Sequence, residues 1–260
     1  MKKILSLGMG VQSSTIALMS LVGELPPLDA VIFADSQWES KATYDYARWL
    51  ILHCEERGMR ITVTRKPGEG IRKDALMAKR FATMPFYTKM DGEGGMVMRQ
   101  CTMEYKIQPV QKAIRRFLEV EPGKRVKEPV ELWLGISLDE VQRMKESRVS
   151  WIKHAWPLID KRMDRGDCLR WLKSHGFPVP PKSSCIGCPF KNDSSWMAMK
   201  RDNPKEFADA ADFDAKIRTA RKNMRSELFL HKSLKPLSEV NFGEDQGDMF
   251  LNECEGHCGL

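Results

Sequence analysis

Short apolar runs alternate with stretches whose apolar residues recur every three or four positions along the first half of the chain. The run that starts at Ile4, Ala30-Val31-Ile32-Phe33-Ala34, Ile61-Thr62-Val63-Thr64 and Val130-Glu131-Leu132-Trp133-Leu134 read as buried strands. Between them, Ile16 to Val22, Lys41 to Arg57 and the stretch from Pro109 to about Glu119 read as helices. Strand, helix, strand, helix, strand in this order predicts an α/β fold: a parallel sheet with helices on both faces. The polar residues at the carboxyl ends of the strands then face a ligand.

Between Lys66 and Gln100 the pattern loosens around Pro67-Gly68, Pro85 and Asp91-Gly92-Glu93-Gly94-Gly95, which predicts an excursion over the active face. A short helix is predicted from Asp164 to His175, closed by Gly176 and followed by Pro178, Pro180 and Pro181. Two more are expected, over Ser194 to Arg201 and Pro204 to Leu228. The organisation predicted is a nucleotide-binding domain over 1–175 and a helical, cysteine-containing extension over 176–260 packed on it.

With 260 residues, 42% hydrophobic and 30% charged, the chain can bury a substantial core. No run approaches the roughly 20 apolar residues of a membrane span, and the start shows no signal-peptide pattern. A cytoplasmic protein is expected, and its seven cysteines read as thiols, metal ligands or redox groups rather than disulfides. The net charge of +7 favours an anionic partner such as nucleic acid or a nucleotide, although many soluble proteins are mildly basic.

The candidate chemistry starts in the turn after the first strand, with Gly8, Met9, Gly10, Gln12, Ser13, Ser14 and Thr15. Glycines admit close backbone approach, and the N–H groups that open a helix attract phosphate. An ordinary strand-to-helix turn is the plainer alternative. Neither the Gly-Lys-Ser/Thr ending of a Walker loop nor a third glycine at Ser13 is present, so the two commonest phosphate loops are excluded. Asp35 ends the second strand as a candidate ribose or adenine acceptor, or a cap for the next helix. After the fourth strand come Gly135, Ser137, Asp139, Glu140 and Arg143. Cys185-x-x-Cys188 is half a metal site, with Cys101 and Cys168 as recruits for an iron–sulfur cluster, or with Cys254 and Cys258 for zinc. Cys54, among Leu50, Ile51 and Leu52, reads as a core residue.

These residues together resemble the phosphoadenosine phosphosulfate (PAPS) reductase family of the PP-loop ATP pyrophosphatases, from Gly8 to about Phe190. In the loop pattern Ser-Gly-Gly-x-Asp-Ser, Gly10 and Ser13 match, while Gly8, Met9 and Gln12 replace serine, glycine and aspartate. Phe33-Ala34-Asp35-Ser36 followed by Glu39 resembles the family's strand ending in Asp-Thr-Gly with a nearby glutamate. The segment from Cys101 through Lys106 to Pro109 resembles Cys-Cys-x-x-x-Lys-x-x-Pro, with Gln100 before Cys101 where a second cysteine is expected. Gly135 to Arg143 resembles the segment lining the nucleotide, and Pro157-Leu158-Ile159-Asp160 the Pro-Leu/Ile-x-Asp-Trp stretch. About eighty residues separate Cys101 from Cys185, as in the adenylylsulfate reductases.

The resemblance implies an adenine nucleotide alpha-hydrolase-like fold, ATP or PAPS as the nucleotide, and a cluster of the 4Fe-4S type. Cys101, Cys185 and Cys188 would hold it, with Cys168 as fourth ligand or one iron left open. Lys106 and Arg143 are candidate stabilisers of the leaving anion, and Asp139 or Glu140 candidate ligands for Mg²⁺. An ATP enzyme of this kind adenylylates an oxygen of its substrate, tRNA or DNA among the candidates, and a sulfur donor follows. A PAPS enzyme uses a tail thiol, Cys254 or Cys258 beside His257, and a thioredoxin-like reductant. A zinc-stapled nucleic-acid-binding module without catalysis is the alternative of another class.

Overall fold

The computed structural model describes residues 1–77, 84–90, 93–220 and 226–242. In chain order its strands are β1 (Lys3–Leu7), β2 (Ala30–Ala34), β3 (Ile61–Thr64), β4 (Tyr87–Met90), β5 (Glu93–Met96), β6 (Val130–Leu134), β7 (Ile152–Ala155) and β8 (Leu228–Phe229). The helices are α1 (Val11–Leu21), α2 (Lys41–Glu55), α3 (Ile71–Met77), α4 (Gln108–Phe117), α5 (Pro157–Asp160), α6 (Arg165–Ser174), α7 (Asp193–Asp202) and α8 (Pro204–Ile217). A π-helical turn, Met103–Ile107, leads into α4, and a 3₁₀ turn, Leu138–Arg143, follows β6.

The expected α/β architecture is present. Five strands make one sheet in the order β3-β2-β1-β6-β7, with every neighbouring pair parallel. Alternation along the strands sorts their side chains into two cores. Leu5, Leu7, Val31, Phe33 and Trp133 face Ile16, Leu18, Leu50 and Leu172 of α1, α2 and α6. Ile4, Ile32, Ala34, Leu132 and Leu134 face Val110, Ala113 and Ile114 of α4. Ile4, Leu5, Ile16 and Leu18 are fully buried, and each such side chain contributes roughly 1.5–3 kcal/mol. β7 is a strand that the sequence reading does not foresee. It is short and lies at the sheet edge, and only Ile152 of its four residues is buried.

The excursion and the extension meet in a third core. β4 and β5 form an antiparallel hairpin, and β8 pairs with β4 to give a small sheet ordered β5-β4-β8. Phe86 and Val97 of that hairpin, with Ile71 and Ala75 of α3, pack with Trp196, Phe207, Phe213 and Leu230. The helix expected over Pro204 to Leu228 stops at Ile217, and Leu228 opens β8. Trp38, just past β2, joins this core and stands edge-on to Phe213, with ring centroids 4.6 Å apart.

Asp214 locks the extension to itself from inside α8. It is almost wholly buried, pairs with Arg218, and accepts from the backbone N–H groups of Leu230 at 2.8 Å and Leu237 at 3.0 Å. Removing one partner of such a buried pair costs about 3–5 kcal/mol. Asp214→Ala is therefore expected to lower the urea midpoint by that free energy, and an unchanged midpoint would show that these bonds do not hold the extension together.

Candidate active site

The sheet order reverses between β1 and β6, because β1 is followed by β2 on one side while β6 lies on the other. Loops leaving such a switch point open a crevice. Here the loops are Gly8–Gly10 and Gly135–Ser137, and the crevice between them is lined by Gly8, Gly10, Gln12, Ser13, Gly135 and Arg143. α1 begins at Val11, capped by Gly10, so the unsatisfied N–H groups of its first turn sit at this crevice. The helix starts five residues before the expected Ile16, and Gln12 to Thr15 lie within it.

Close approach of two backbones shapes the crevice. A Cβ on Gly135 would stand 2.7 Å from the Ser13 nitrogen, so only glycine fits there. Ser13 Oγ accepts from the Gly8 N–H at 3.1 Å and donates toward the Gly10 carbonyl at 3.4 Å, closing the loop on itself. Met9 is fully buried with a φ of 58°, a conformation that favours glycine, and glycine is the residue the PP-loop pattern has there.

Several nominated residues face inward instead of lining the crevice. Ser14 is fully buried on α1, and its hydroxyl neighbours that of Tyr46 on α2. Ser137 is fully buried too; its hydroxyl donates to Asp139 Oδ1 at 2.7 Å and accepts from Gln12 Nε2 at 3.3 Å. Asp35 takes a turn role, its Oδ1 accepting from the Gln37 N–H at 2.7 Å and the Tyr44 hydroxyl at 2.9 Å. Helix α2 is capped by Ser40, not by Asp35.

Gln12 stands where the loop pattern has aspartate, and it knits three segments together. Its amide donates to Ser137 and, at 3.3 Å, to Glu140 Oε2, while its carbonyl accepts from Arg165 at 3.3 Å. Glu140 is also paired with Arg143, and Asp139 accepts from the Arg165 N–H at 3.0 Å. Both candidate magnesium carboxylates are thus engaged by protein donors. Arg143 keeps its buried Nε without a protein partner at the crevice, a donor suited to an anion.

Cys101, Cys185 and Cys188 line a second cavity together with Tyr105, Lys106 and Arg99. Lys106 belongs to both cavities, so the thiols and the glycine loop share one cation. It projects from the π-helical turn, a geometry frequent at functional sites and invisible in the residue pattern. The Cys-x-x-Cys turn is fixed from two sides. Ser183 Oγ donates to the Gly8 carbonyl at 2.6 Å, and a β-bridge joins Cys185 to Glu39. Gly187 admits the Trp38 indole, which a Cβ would meet at 2.2 Å. Burial, then the charge of Glu39, push the Cys185 thiol well up, against the opposing pull of Lys106 and a hydrogen bond from Ser36.

Cys168 is a correction to the four-cysteine set. It is fully buried on α6 in the core shared with α1, beside Thr15 and Leu172, and burial pushes its thiol up to about 12. Its place on the buried face of an amphipathic helix, not its nearness in sequence to Cys185, decides where it points. Cys54 lies in the same core, as expected. Cys254, Cys258 and His257 lie outside the described residues. Among the described residues no three His, Cys, Asp or Glu side chains stand close enough to hold a single metal ion. The thiolates around a four-iron cube stand farther apart than ligands of one ion, and three thiols on one cavity fit that wider donor set.

No protein-family model matches the chain, and no curated protein sequence matches it. Among solved structures it is similar to the PAPS reductase of Candida auris in its phosphate complex, at 14% identity and a TM-score of 0.45, over 69% of this chain and 75% of that one. It is similar also to the U34-tRNA thiolase NcsA of Methanococcus maripaludis with its 4Fe-4S cluster, at 12% identity and a TM-score of 0.42, over 86% of this chain and 74% of that one. Likenesses this distant say nothing of reaction or ligand.

Two substitutions separate crevice from core. Gly135→Val should drive Ser13 aside and weaken adenine-nucleotide binding at least tenfold, about 1.4 kcal/mol, in a calorimetric titration; undiminished affinity would mean the crevice is not the nucleotide site. Cys168→Ala should cost about 1 kcal/mol of stability while leaving the iron content of anaerobically reconstituted protein unchanged. Loss of iron in that variant would return Cys168 to the ligand set.

Proposed function

We propose that the chain is a PP-loop enzyme of PAPS reductase type that binds an adenine nucleotide at the Gly8–Gly10 loop and transfers sulfur or an adenylyl group. The observation that carries this reading is the position of Lys106, on the wall between the glycine-loop crevice and the cavity of Cys101, Cys185 and Cys188. A cation shared by a phosphate site and a thiol site suits a reaction in which nucleotide and sulfur chemistry meet.

The first turn of α1 and the Gly8–Gly10 backbone would hold phosphate oxygens, and Arg143 would add a charged donor. With ATP, a substrate oxygen attacks the α-phosphorus and pyrophosphate leaves; Lys106 and Arg143 stabilise the charge that develops on it. A sulfur nucleophile then displaces AMP from the adenylylated carbon, so the oxygen departs with the nucleotide and the new bond is carbon–sulfur. Cys101, Cys185 and Cys188 would hold an iron–sulfur cluster, which supplies a site for binding or relaying sulfur when present. The basic net charge favours a nucleic acid, tRNA or DNA, as the substrate.

Anaerobic reconstitution with iron and sulfide, followed by binding of ATP and of PAPS, tests the reading. The expected result is a broad visible absorption band, lost in Cys101→Ala and in Cys185→Ala, and micromolar binding of one of the two nucleotides. Lys106→Met should keep the iron and most of the nucleotide affinity while turnover falls by roughly two orders of magnitude or more. Zinc in place of iron, with no adenine-nucleotide binding, would favour the non-catalytic nucleic-acid-binding module and overturn the proposal.

A further inference from the structure

We propose that Glu39 is the fourth protein ligand of the metal centre whose other ligands are Cys101, Cys185 and Cys188. The inference rests on the cluster reading above and adds to it an oxygen donor that cysteine spacing does not reveal.

Glu39 sits just past β2, with 3% of its surface exposed. Its Oε1 accepts from the Ser36 hydroxyl at 2.8 Å and stands 3.7 Å from Cys185 Sγ, while Oε2 is buried with no hydrogen-bond partner. No ion pair to Glu39 occurs among the described residues. Burying a carboxylate without a cation or a full set of donors costs several kcal/mol, so such a group normally has a partner. A metal ion beside Cys185 is the partner that this position lacks.

The ordinary duties of a glutamate at this place are already filled. Ser40 caps α2, its side chain accepting from the Thr43 N–H at 3.2 Å. The backbone of Glu39 makes the bridge to Cys185, and Ile186 N donates to the Trp38 carbonyl at 2.9 Å, so the main chain alone fastens the turn. That fastening sets the carboxylate against the first thiol of the Cys-x-x-Cys pair. Cys168 and Cys54 are both committed to the α1–α2–α6 core, so neither offers a fourth thiolate.

An oxygen donor has a chemical consequence. Thiolates hold iron firmly, whereas a carboxylate is a harder, more readily exchanged ligand. One iron held by Glu39 would be the position where a sulfur-bearing ligand can bind after the carboxylate swings away.

Spectroscopy of reconstituted, reduced protein reads this directly. In wild type, one iron of the cluster should give a distinct Mössbauer doublet, and water enriched in the magnetic oxygen isotope should leave the paramagnetic resonance lines unbroadened. In Glu39→Gln the same water should broaden them, because solvent takes the vacated position. Glu39→Cys should give a cluster whose four irons are alike, and it serves as the deciding variant if Glu39→Gln does not fold. Equal solvent broadening in wild type and Glu39→Gln, or a distinct iron persisting in Glu39→Cys, would overturn the assignment. So would a distinct iron that is lost only when Cys254 and Cys258 are replaced by serine. Failure of wild type to take up iron would sink the cluster reading itself, a different outcome from a cluster indifferent to residue 39.

Discussion

The structure depends on the contact between the Cys-x-x-Cys turn and the carboxyl ends of β1 and β2. Ser183 donates to the carbonyl of Gly8, Cys185 bridges Glu39, and the indole of Trp38 fills the space that Gly187 leaves empty. Each is a short-range contact between segments far apart in sequence. Together they bring the extension to the ligand face of the parallel sheet and not to its flank. Without them the sheet would still have its two cores, but the thiols would have no fixed relation to the glycine loop.

The same contact explains why the site is polar and yet closed. Trp38 belongs to the core built from the excursion and the extension, with Phe86 and Phe213, and its Nε1 donates to Asp209 at 2.7 Å. Apolar packing therefore surrounds Ser36, Glu39 and Cys185 from behind while the crevice stays open in front. A second polar knot lies nearby: Lys66 donates to Asp74, Glu104 and Tyr105 at 3.0–3.1 Å and so ties the π-helical turn to α3. Lys106 leaves that turn toward the shared wall. Its position is set by bonds its neighbours make.

Much of this was legible in the sequence, and the exceptions have physical reasons. β1, β2, β3 and β6 are flagged by apolar runs because both faces of a central parallel sheet are covered. β7 escapes because an edge strand with one buried residue carries too little apolar signal, and β5 because Glu93-Gly94-Gly95-Met96 reads as a turn. The glycine loop, Gly135, Lys106, Arg143 and the three cysteines could be named from spacing and resemblance. Gln12 was visible as an altered residue, but its role as a three-way tie was not, since that depends on Ser137, Glu140 and Arg165. Cys168 misleads because proximity along the chain carries no information about which side of a helix a thiol takes. Glu39 was noticeable only as a glutamate near the strand end, because being buried without a partner is a property of the folded chain.

The third core also bears on how the molecule comes to exist. Its members come from around Trp38, from 71 to 105 and from 186 to 242, so its contacts close very long loops. Such contacts form late, because the loop-closure entropy must be met before they stabilise anything. The sheet can assemble from residues already at hand during synthesis, whereas the wall carrying Lys106 and the cysteine turn must wait for α7 and α8. Order of assembly thus keeps a half-made chain from presenting a finished cavity: metal capture becomes the final event of folding, available to the nearly complete polypeptide alone.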